Sequence, residues 1–324
     1  MELKSILSGL EGLKVKGDLT IDISNIDSDS RNIKKNGLFV AISGFDVDGH
    51  NYIKEAIKKG AVAVLASIDM DKKLLKEIMN EVTIILAPDT RYALAIAACN
   101  FYEHPSTKFK LVGITGTKGK TTTSFMVKSI LEKAGKKVGL VGTIATYIGD
   151  KKLEDSDRTT PESTKLQYIF NEMVKAGCEV VIMEVSSQSL KLHRVEGCEF
   201  DYAVFTNFSE DHISPKEHPD MEDYFNSKLL LIKQAKTSFV NNDDFRVSKV
   251  KKELSECNIK TYGIDNEANL LAKDITVTNS SVDFKVKIAG KNERVKTGIP
   301  GRFSVYNSLA AIAIAESLGA NAEE

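Results

Sequence analysis

Residues 110–123 hold the side chains whose types and spacing point most clearly to a chemistry, in the sequence KLVGITGTKGKTTT. Its apolar start predicts a buried strand, and the following SFMVKSILEKAG carries apolar residues at helical spacing. Gly116 and Gly119 allow a tight turn between the two elements, so that backbone N–H groups can approach phosphate oxygens. Lys120 would reach the outer phosphates, and the hydroxyl of Thr121 suits Mg²⁺. The stretch therefore predicts a phosphate-binding loop.

This loop is shorter than the common pattern G-x-x-x-x-G-K-[ST]. Ile114 stands at the position of the first glycine, which leaves T-G-T-x-G-K-T at residues 115–121. We expect Thr117, Lys118 and Thr122 to bind the nucleotide together with the two glycines, the lysine and the threonine already named. A Gly-rich turn without a ligand is the alternative, but Gly-Lys-Thr at a strand-to-helix junction argues against it.

Three further side chains could act with this loop. Glu184 ends the apolar run of EVVIMEVSS, and a carboxylate at the end of a buried strand commonly holds Mg²⁺ against ATP phosphates. The alternative is a carboxylate that merely caps the strand. His212 follows the predicted strand AVFT, although a lone histidine is more often structural than a ligand. Lys228 lies on the predicted helix MEDYFNSKLLLIKQA, where a lysine faces solvent by default.

The elements that must position these residues alternate between strand and helix, which predicts an α/β fold with a mostly parallel sheet. In the first part of the chain, GLFVAI, AVAVLA and VTIILA predict strands separated by helices. Two polar loops there, SDSRNIKKNG and FDVDGH, lie at strand ends, where α/β sheets bind ligands, although each taken alone is more often just a turn. Farther on, TYIGDKKLEDSDRTTPEST predicts a long polar stretch, and the short segments NLLAKDITV, SVDFKVKI and ERVKTGI predict antiparallel strands.

Length and composition limit the class of protein. The 324 residues are enough for about two domains, and the formal net charge of −1 gives no overall field for nucleic acid or an anionic membrane. Four cysteines without a C-x-x-C spacing argue against a zinc site and fit reduced thiols. The first 18 residues include acidic side chains and no sustained apolar core, so we do not expect a secretory signal, and no apolar run approaches about 20 residues. We expect a cytoplasmic monomer that binds neither nucleic acid nor membrane.

A series of segments along the whole chain resembles the Mur ligase family, the ATP-dependent amide-forming enzymes of peptidoglycan synthesis. These segments are SDSRNIKKNGLFVAISGFDVDGH, GITGTKGKTTT, TTPEST, MEVSSQSLKLHRV, FDYAVFTNFSEDHI, MEDYFNSKLLL and GRFSVYNSLAA. The resemblance implies a small N-terminal α/β domain that binds the uridine nucleotide, at residues 1–106. It implies a P-loop-type α/β ATPase domain with a mostly parallel sheet and a small antiparallel portion, at residues 107–324.

The resemblance also assigns roles to single residues. Thr121, Glu184 and His212 match Mg²⁺ ligands, and Lys228 matches a lysine that is carbamylated in the family and can then hold a second Mg²⁺. The implied catalytic residues are Lys120, Glu184, His212 and Lys228. The implied contacts to substrates are Ser30 for the uridine nucleotide, Asn307 for ATP, and Thr159, Thr160, Ser186 and Arg194 for the UDP-muramoyl-peptide.

The implied activity adds a diamino acid, meso-diaminopimelate or L-lysine, to UDP-MurNAc-L-Ala-D-Glu through an acyl phosphate, with ATP and Mg²⁺. In the family, a third domain binds the incoming amino acid, and this chain ends at Glu324, where that domain would begin. We therefore expect the chain by itself to be weak or inactive as a ligase.

Other functions share some of these features. Another Mur-type or folylpolyglutamate-type ligase would use the same loop, but the first domain and the TTPE stretch argue against it. A P-loop kinase or a regulatory nucleotide-binding protein would not need a uridine-nucleotide domain, and the shortened loop disfavours it. A non-catalytic nucleotide-binding fragment is the remaining alternative.

Overall fold

The computed structural model describes residues 1–45, 47–211, 213–214, 217–246, 250 and 253–321. The chain divides into two compact units. The first comprises Met1–Pro105, Glu162–Asn171 and Leu192–Cys198, and the second comprises Ser106–Pro161, Glu172–Lys191 and Glu199–Glu324. The predicted domain limits, 1–106 and 107–324, stay a prediction, because a compact unit in space need not fold independently.

The first unit is built on a five-stranded sheet in the order β1-β5-β4-β3-β2, in which β1 is antiparallel to β5 and the other pairs are parallel. Its elements are α1 (Leu3–Ile6), β1 (Lys14–Lys16), β2 (Asn25–Asp27), β3 (Gly37–Val40), α2 (Ile53–Lys59), β4 (Ala61–Ser67), α3 (Lys72–Ile78), β5 (Thr83–Ala87) and α4 (Thr90–Phe101). The predicted strands and helices of this part are present, whereas α1, β1 and β2 were not predicted.

Helices cover both faces of this first sheet. Leu38 and Val40 of β3 pack in one hydrophobic cluster with α1 and α4, while Phe39 between them packs in a second cluster with α2 and α3. Strands buried on both faces read as continuous apolar runs, which is why GLFV and its neighbours were recognisable from the sequence.

The second unit contains a nine-stranded sheet in the order β14-β13-β12-β11-β6-β10-β7-β8-β9. Its pairs are parallel from β14 to β7, and β8 and β9 form an antiparallel hairpin at the edge. The strands are β6 (Lys110–Thr115), β7 (Val138–Val141), β8 (Ala145–Ile148), β9 (Lys151–Asp155), β10 (Val180–Glu184), β11 (Tyr202–Phe205), β12 (Thr237–Asn241), β13 (Ile259–Gly263) and β14 (Leu270–Leu271).

Helices and a small second sheet complete this unit. Strands β15 (Lys273–Val277), β16 (Val282–Ile288) and β17 (Lys291–Thr297) form a three-stranded antiparallel sheet. The helices are α5 (Lys120–Lys133), α7 (Ser187–Lys191), α8 (Met221–Gln234) and α9 (Arg302–Ser317); α6 (Ser163–Lys175) contributes residues to both units. Within the described ranges, none of the helices combines the length and hydrophobicity that a membrane span requires.

Strand β6 lies in the core of the second unit. Val112 and Ile114 share a buried cluster with α5 and α9, whereas a Cβ at Gly113 would lie 2.8 Å from Leu231 on α8. Strand β6 is therefore packed by helices on both faces, and its carboxyl end is held in place. The predicted α/β fold with mostly parallel sheets and a small antiparallel portion is confirmed.

Two predictions about this unit were wrong. The stretch expected to be long and polar contains the hairpin β8–β9. Strand β8 has only four residues and β9 is largely exposed, so neither carries a long apolar run. The segment NLLAKDITV does not form one antiparallel strand: Leu270–Leu271 pairs in parallel with β13, and only Lys273–Val277 joins the antiparallel sheet. The apolar pattern alone does not determine which partner a short strand finds.

We expect Leu309→Ala to lower the free energy of unfolding by about 3 kcal/mol, because it removes a fully buried side chain of α9 from the core. Leu153→Ala on β9, where the side chain is 38% exposed, should change it by less than about 1 kcal/mol. Urea unfolding of both variants measures this difference. Equal losses would contradict the packing described for α9.

Candidate functional site

The predicted phosphate-binding loop joins β6 to α5 at the carboxyl edge of the parallel sheet. Gly116 has φ +140°, and a Cβ there would lie 1.9 Å from the Thr206 hydroxyl oxygen. Gly119 has φ +87°, and a Cβ there would lie 2.6 Å from the side-chain oxygen of Asn307. Both positions require glycine for conformation and for space. The loop thus lies against α9, and the predicted ATP contact Asn307 lies beside it.

A threonine and an asparagine after β11 hold this loop from the other side. The Asn207 side chain accepts from the Lys118 N–H at 2.9 Å and donates to the Lys118 carbonyl at 2.8 Å. The Asn207 carbonyl accepts from the Thr117 N–H at 2.9 Å, and the Thr206 hydroxyl donates to the Lys118 carbonyl at 2.7 Å. Sequence analysis did not single out this clamp, although its position at a strand end, in AVFTNF, was a usable signal.

Glu184 lies one strand away from the loop, because β10 pairs with β6 in a register that sets Glu184 opposite Ile114. The carboxylate is 1% exposed. It accepts hydrogen bonds from the Thr121 hydroxyl at 2.8 Å, the Thr143 hydroxyl at 3.0 Å and the Thr143 N–H at 3.1 Å. A Cβ at Gly142 would lie 2.4 Å from this carboxylate, so a glycine there leaves it room. Thr143 was not predicted.

These oxygen donors fit a hard divalent cation such as Mg²⁺, which prefers carboxylate and hydroxyl oxygens. Thr121 and Glu184, two of the predicted ligands, are already in contact. The third, His212, lies outside the residues that the structure describes. In the described part of the chain, no three histidine, cysteine or carboxylate side chains converge, so the donor set there is one carboxylate with hydroxyl groups.

Two lysines meet at one carbonyl oxygen of the loop. Lys120 Nζ donates to the carbonyls of Gly116 at 2.8 Å and Thr117 at 3.1 Å, and Lys228 Nζ donates to the Gly116 carbonyl at 3.0 Å. The default expectation that Lys228 faces solvent is wrong, because its side chain is 2% exposed. The resemblance had placed it at the site.

Burial lowers the pKa of both amines. It lowers the pKa of Lys120, against the attraction of Glu184 and Asp211. It lowers the pKa of Lys228 well below its ordinary value, the nearby charge of Lys120 adds to this effect, and Asp211 opposes it. A neutral lysine amine is a nucleophile, so Lys228 has the environment that chemistry at its nitrogen requires.

Helix α8 carries Lys228 and also contacts the loop through Tyr224. The Nζ atom of Lys228 lies 4.4 Å from the centre of the Tyr224 ring, and the Tyr224 hydroxyl donates to the Thr117 hydroxyl oxygen at 3.4 Å. The loop is therefore fixed by α8, by the end of β11 and by α9.

A cavity of about 280 Å³ lies above the loop. It is lined by Thr117, Lys118, Gly119, Lys120, Thr121, Thr122, Thr143, Thr159 and Glu184. These include every residue predicted to bind the nucleotide except Gly116 and Asn307, and they add Thr159 from the predicted substrate contacts. The arrangement offers backbone N–H groups, a cation and hydroxyls to an anionic ligand.

The predicted substrate contacts fall in both units. In the second, the Thr159 hydroxyl lies 3.1 Å from that of Thr143. The Thr160 hydroxyl donates to the Glu184 carbonyl at 2.9 Å and accepts from the Ser186 N–H at 3.1 Å. These contacts bring Thr159, Thr160 and Ser186 to the end of β10.

The first unit contains Ser30 and Arg194. Ser30 begins a 3₁₀ turn, Ser30–Asn32, and is buried at 5% exposure. Arg194 pairs with Glu162 at 2.9 Å and is also largely buried. In the loop FDVDGH, His50 Nδ1 lies 2.6 Å from an Asp48 carboxylate oxygen, while Asp46 lies outside the described residues. Their predicted ligand contacts stay predictions.

Comparison with known proteins identifies the family. The Mur ligase middle domain matches residues 114–315, and the catalytic domain of the Mur ligase family matches residues 22–102. The chain belongs to the Mur ligase family. The resemblance seen in its sequence motifs is thereby confirmed.

Curated relatives and solved structures agree with this. UDP-N-acetylmuramoyl-L-alanyl-D-glutamate–2,6-diaminopimelate ligase of Caldanaerobacter subterraneus is 47% identical over 319 residues, which are 98% of this chain and 64% of the relative. A solved structure of a ligase with that same name has a TM-score of 0.83 at 21% identity, over 99% of this chain and 64% of the other. The MurF ligase of Thermotoga maritima in complex with ADP has a TM-score of 0.59 at 22% identity, over 92% of this chain and 64% of the other. The two structures support the shared fold.

The buried lysine of this Mur ligase chain should lower its stability. We expect Lys228→Met to raise the free energy of unfolding at pH 7 by roughly 1–2 kcal/mol, because an apolar side chain fills the site and the Gly116 carbonyl keeps its bond from Lys120. The folded-state pKa of Lys228 is depressed, so the destabilisation grows as pH falls from the unfolded pKa towards the folded one. The gain should therefore be smaller at pH 10 than at pH 7.

Denaturant unfolding at the two pH values measures this effect. Lys233→Met, on the exposed side of the same helix, is the matched control and should change stability little at either pH. If Lys228→Met has a lower free energy of unfolding than wild type, or a gain that is equal at both pH values, the buried amine does not destabilise the folded state as we expect.

Proposed function

We propose that this chain belongs to an ATP-dependent ligase that joins a diamino acid to UDP-MurNAc-L-Ala-D-Glu. The convergence of Lys120, Thr121 and Glu184 on one cavity supports ATP as the energy source. The relative from Caldanaerobacter subterraneus supports the substrate, and its name favours 2,6-diaminopimelate over L-lysine. The chain spans 64% of that relative's length, so the activity is proposed for the protein as a whole.

In the first step, a carboxylate oxygen of the UDP-linked peptide attacks the γ-phosphorus of ATP. The bond from that phosphorus to the bridging oxygen breaks, ADP leaves with the electron pair, and an acyl phosphate forms. Both reactants are anionic, so the site must offset their repulsion. Lys120 and the N–H groups of the loop supply positive charge and hydrogen bonds where charge develops on the phosphate oxygens.

In the second step, the amine of the diamino acid attacks the acyl carbon. An N–C bond forms, phosphate leaves with the electrons of the C–O bond, and the nitrogen loses a proton to give the amide. In the first step, positioning supplies much of the acceleration, because the carboxylate must lie in line with the transferred phosphorus. Thr159, Thr160 and Ser186, gathered at the end of β10, are the proposed contacts for the peptide in this unit.

Mg²⁺ would be held by Thr121, Glu184 and His212, and it supplies charge neutralisation at the phosphate oxygens. A second ion would require an anion at Lys228. We propose that the neutral amine of Lys228 adds to CO₂, forming an N–C bond and losing a proton, so that the amine becomes an anionic carbamate. The support is its burial, its depressed pKa and its place beside the phosphate loop.

The location and assembly of the protein belong to the same proposal. We propose a cytoplasmic monomer that acts on soluble substrates and binds neither nucleic acid nor membrane. The four cysteines support a reducing compartment, because all are free and three are buried.

The test is ligand binding by thermal shift with UDP-MurNAc-L-Ala-D-Glu, UDP-MurNAc-L-Ala and folate, each with and without Mg-ATP. A ligand that binds only the folded state raises the unfolding temperature, whether or not turnover occurs. We expect stabilisation by Mg-ATP and selective stabilisation by the dipeptide form. A shift with Mg-ATP but none with either UDP-sugar would remove the peptidoglycan assignment, and a shift with folate would favour a folylpolyglutamate-type ligase.

We expect Gly142→Ala to weaken Mg-ATP binding by about tenfold, because the added methyl must displace the Glu184 carboxylate from Thr121. Gly298→Ala is the matched control, since a Cβ there meets nothing within 4 Å. Its affinity should stay within about twofold of wild type. Calorimetric titration with a non-hydrolysable ATP analogue measures both variants, and equal affinities for wild type and Gly142→Ala would exclude Glu184 from the nucleotide site.

A further inference from the structure

The second unit contains a hydrogen-bonded chain of three side chains that the proposed chemistry does not use. His218 is fully buried. Its Nδ1 lies 2.6 Å from a carboxylate oxygen of Asp223, and its Nε2 lies 2.9 Å from the hydroxyl oxygen of Ser187. The order serine, histidine, aspartate is that of a nucleophilic triad.

The position of each proton follows from the neighbours of this chain. The same Asp223 oxygen accepts from Lys191 Nζ at 2.7 Å. Although burial opposes it, the bonds from Lys191 and His218 lower the pKa of Asp223, so the carboxylate is ionised and can only accept. Burial lowers the pKa of His218, so the ring is neutral. Nδ1 therefore carries the hydrogen, and Nε2 accepts from the Ser187 hydroxyl.

Ser187 is 5% exposed, so its oxygen is shielded from an approaching carbonyl group. A nucleophile must reach its substrate, which leaves a positioning role for this serine. It directly follows Ser186, whose N–H is held by the Thr160 hydroxyl at 3.1 Å, and that hydroxyl in turn donates to the Glu184 carbonyl. The turn after β10 is thus fixed on one side by Thr160 and on the other by His218.

The hydrogen-bonded series ends, at Asp223, in the first turn of α8. Asp223 lies in that turn, and its N–H donates to the capping carboxylate of Asp220 at 2.8 Å. The next residue, Tyr224, places its ring 5.0 Å from that of His218 and its hydroxyl 3.4 Å from that of Thr117. The same ring lies 4.4 Å from the amine of Lys228. One helical turn therefore touches both the turn after β10 and the phosphate loop.

We propose that Ser187, His218 and Asp223 form a positioning relay that sets the substrate-binding Ser186 turn in register with helix α8 and its Lys228. The inference rests on the proposed function, because Ser186 is assigned there to the UDP-linked peptide. Hydrogen bonds are directional, and two in series through a rigid ring fix distance and angle between elements that the chain separates by 30 residues or more.

The test compares Ser187→Ala, His218→Asn and the double variant in the full-length protein. Ser238→Ala is the matched control, because this serine is buried and its hydroxyl donates to a backbone carbonyl outside the relay. Titration calorimetry gives the affinities for UDP-MurNAc-L-Ala-D-Glu and for Mg-ATP. We expect each single variant to bind the UDP-dipeptide about tenfold more weakly, and the double variant also about tenfold, because either change breaks the same relay. Mg-ATP affinity should stay within about twofold.

A spectroscopic readout separates positioning from simple loss of stability. The ¹⁵N resonances of His218 should show a neutral ring with the hydrogen on Nδ1 at pH 7, and Ser187→Ala should shift Nε2 alone. A charged ring, or an Nε2 signal unaffected by Ser187→Ala, would overturn the relay.

The binding data distinguish the two proposals. If wild type binds both ligands and the variants bind the UDP-dipeptide equally well, the relay is wrong and the proposed function stands. A loss of UDP-dipeptide affinity of about a hundredfold in the double variant would also contradict the relay. So would a loss of Mg-ATP affinity as large as the loss of UDP-dipeptide affinity. If wild type binds Mg-ATP but not the UDP-dipeptide, the proposed substrate is wrong, and the purpose assigned to the relay is wrong with it.

Discussion

Two amines converge on a single carbonyl oxygen in this structure, and the phosphate loop is built around that convergence. Lys120 and Lys228 both donate to Gly116, although like charges repel and burial penalises each charge. An anionic ligand in the adjacent cavity would reduce the unfavourable energy of placing the two amines together. The loop that carries this carbonyl is supported by α8, α9 and the end of β11.

The parallel sheet is what brings the acidic and basic parts of the site together. Because β10 lies beside β6 in parallel register, Glu184 ends next to the residues that begin α5. The same geometry sets Thr143, after β7, on the far side of that carboxylate. Three consecutive strand ends thus surround one carboxylate with hydroxyl donors, and the side chain keeps its hydrogen bonds in a buried setting where an unpaired charge would be costly.

Much of this arrangement could be predicted from the sequence, because it depends on local patterns. The glycines, Lys120 and Thr121 lie in one continuous segment, and Glu184 follows an apolar run that reads as a buried strand. The burial of Lys228 was not predicted, because a lysine faces solvent by default even among apolar neighbours; the family resemblance supplied its role at the site. Thr143, Asn207 and His218 were missed because each has a partner at least 31 residues away in the chain, namely Glu184, Lys118 and Ser187, and only the tertiary fold brings them together.

The close fit of the two loop glycines has an evolutionary consequence. Gly116 leaves room for the hydroxyl of Thr206, and Gly119 leaves room for the amide of Asn307, so each glycine shares one volume with a side chain encoded far downstream. Because both glycines have positive φ, a side chain at either one would strain the backbone even if its partner became smaller, and a larger residue at position 206 or 307 would press on the loop backbone. The short loop should therefore be inherited as a unit with α9 and the end of β11, with both glycines fixed and the size of the residues at positions 206 and 307 limited by them.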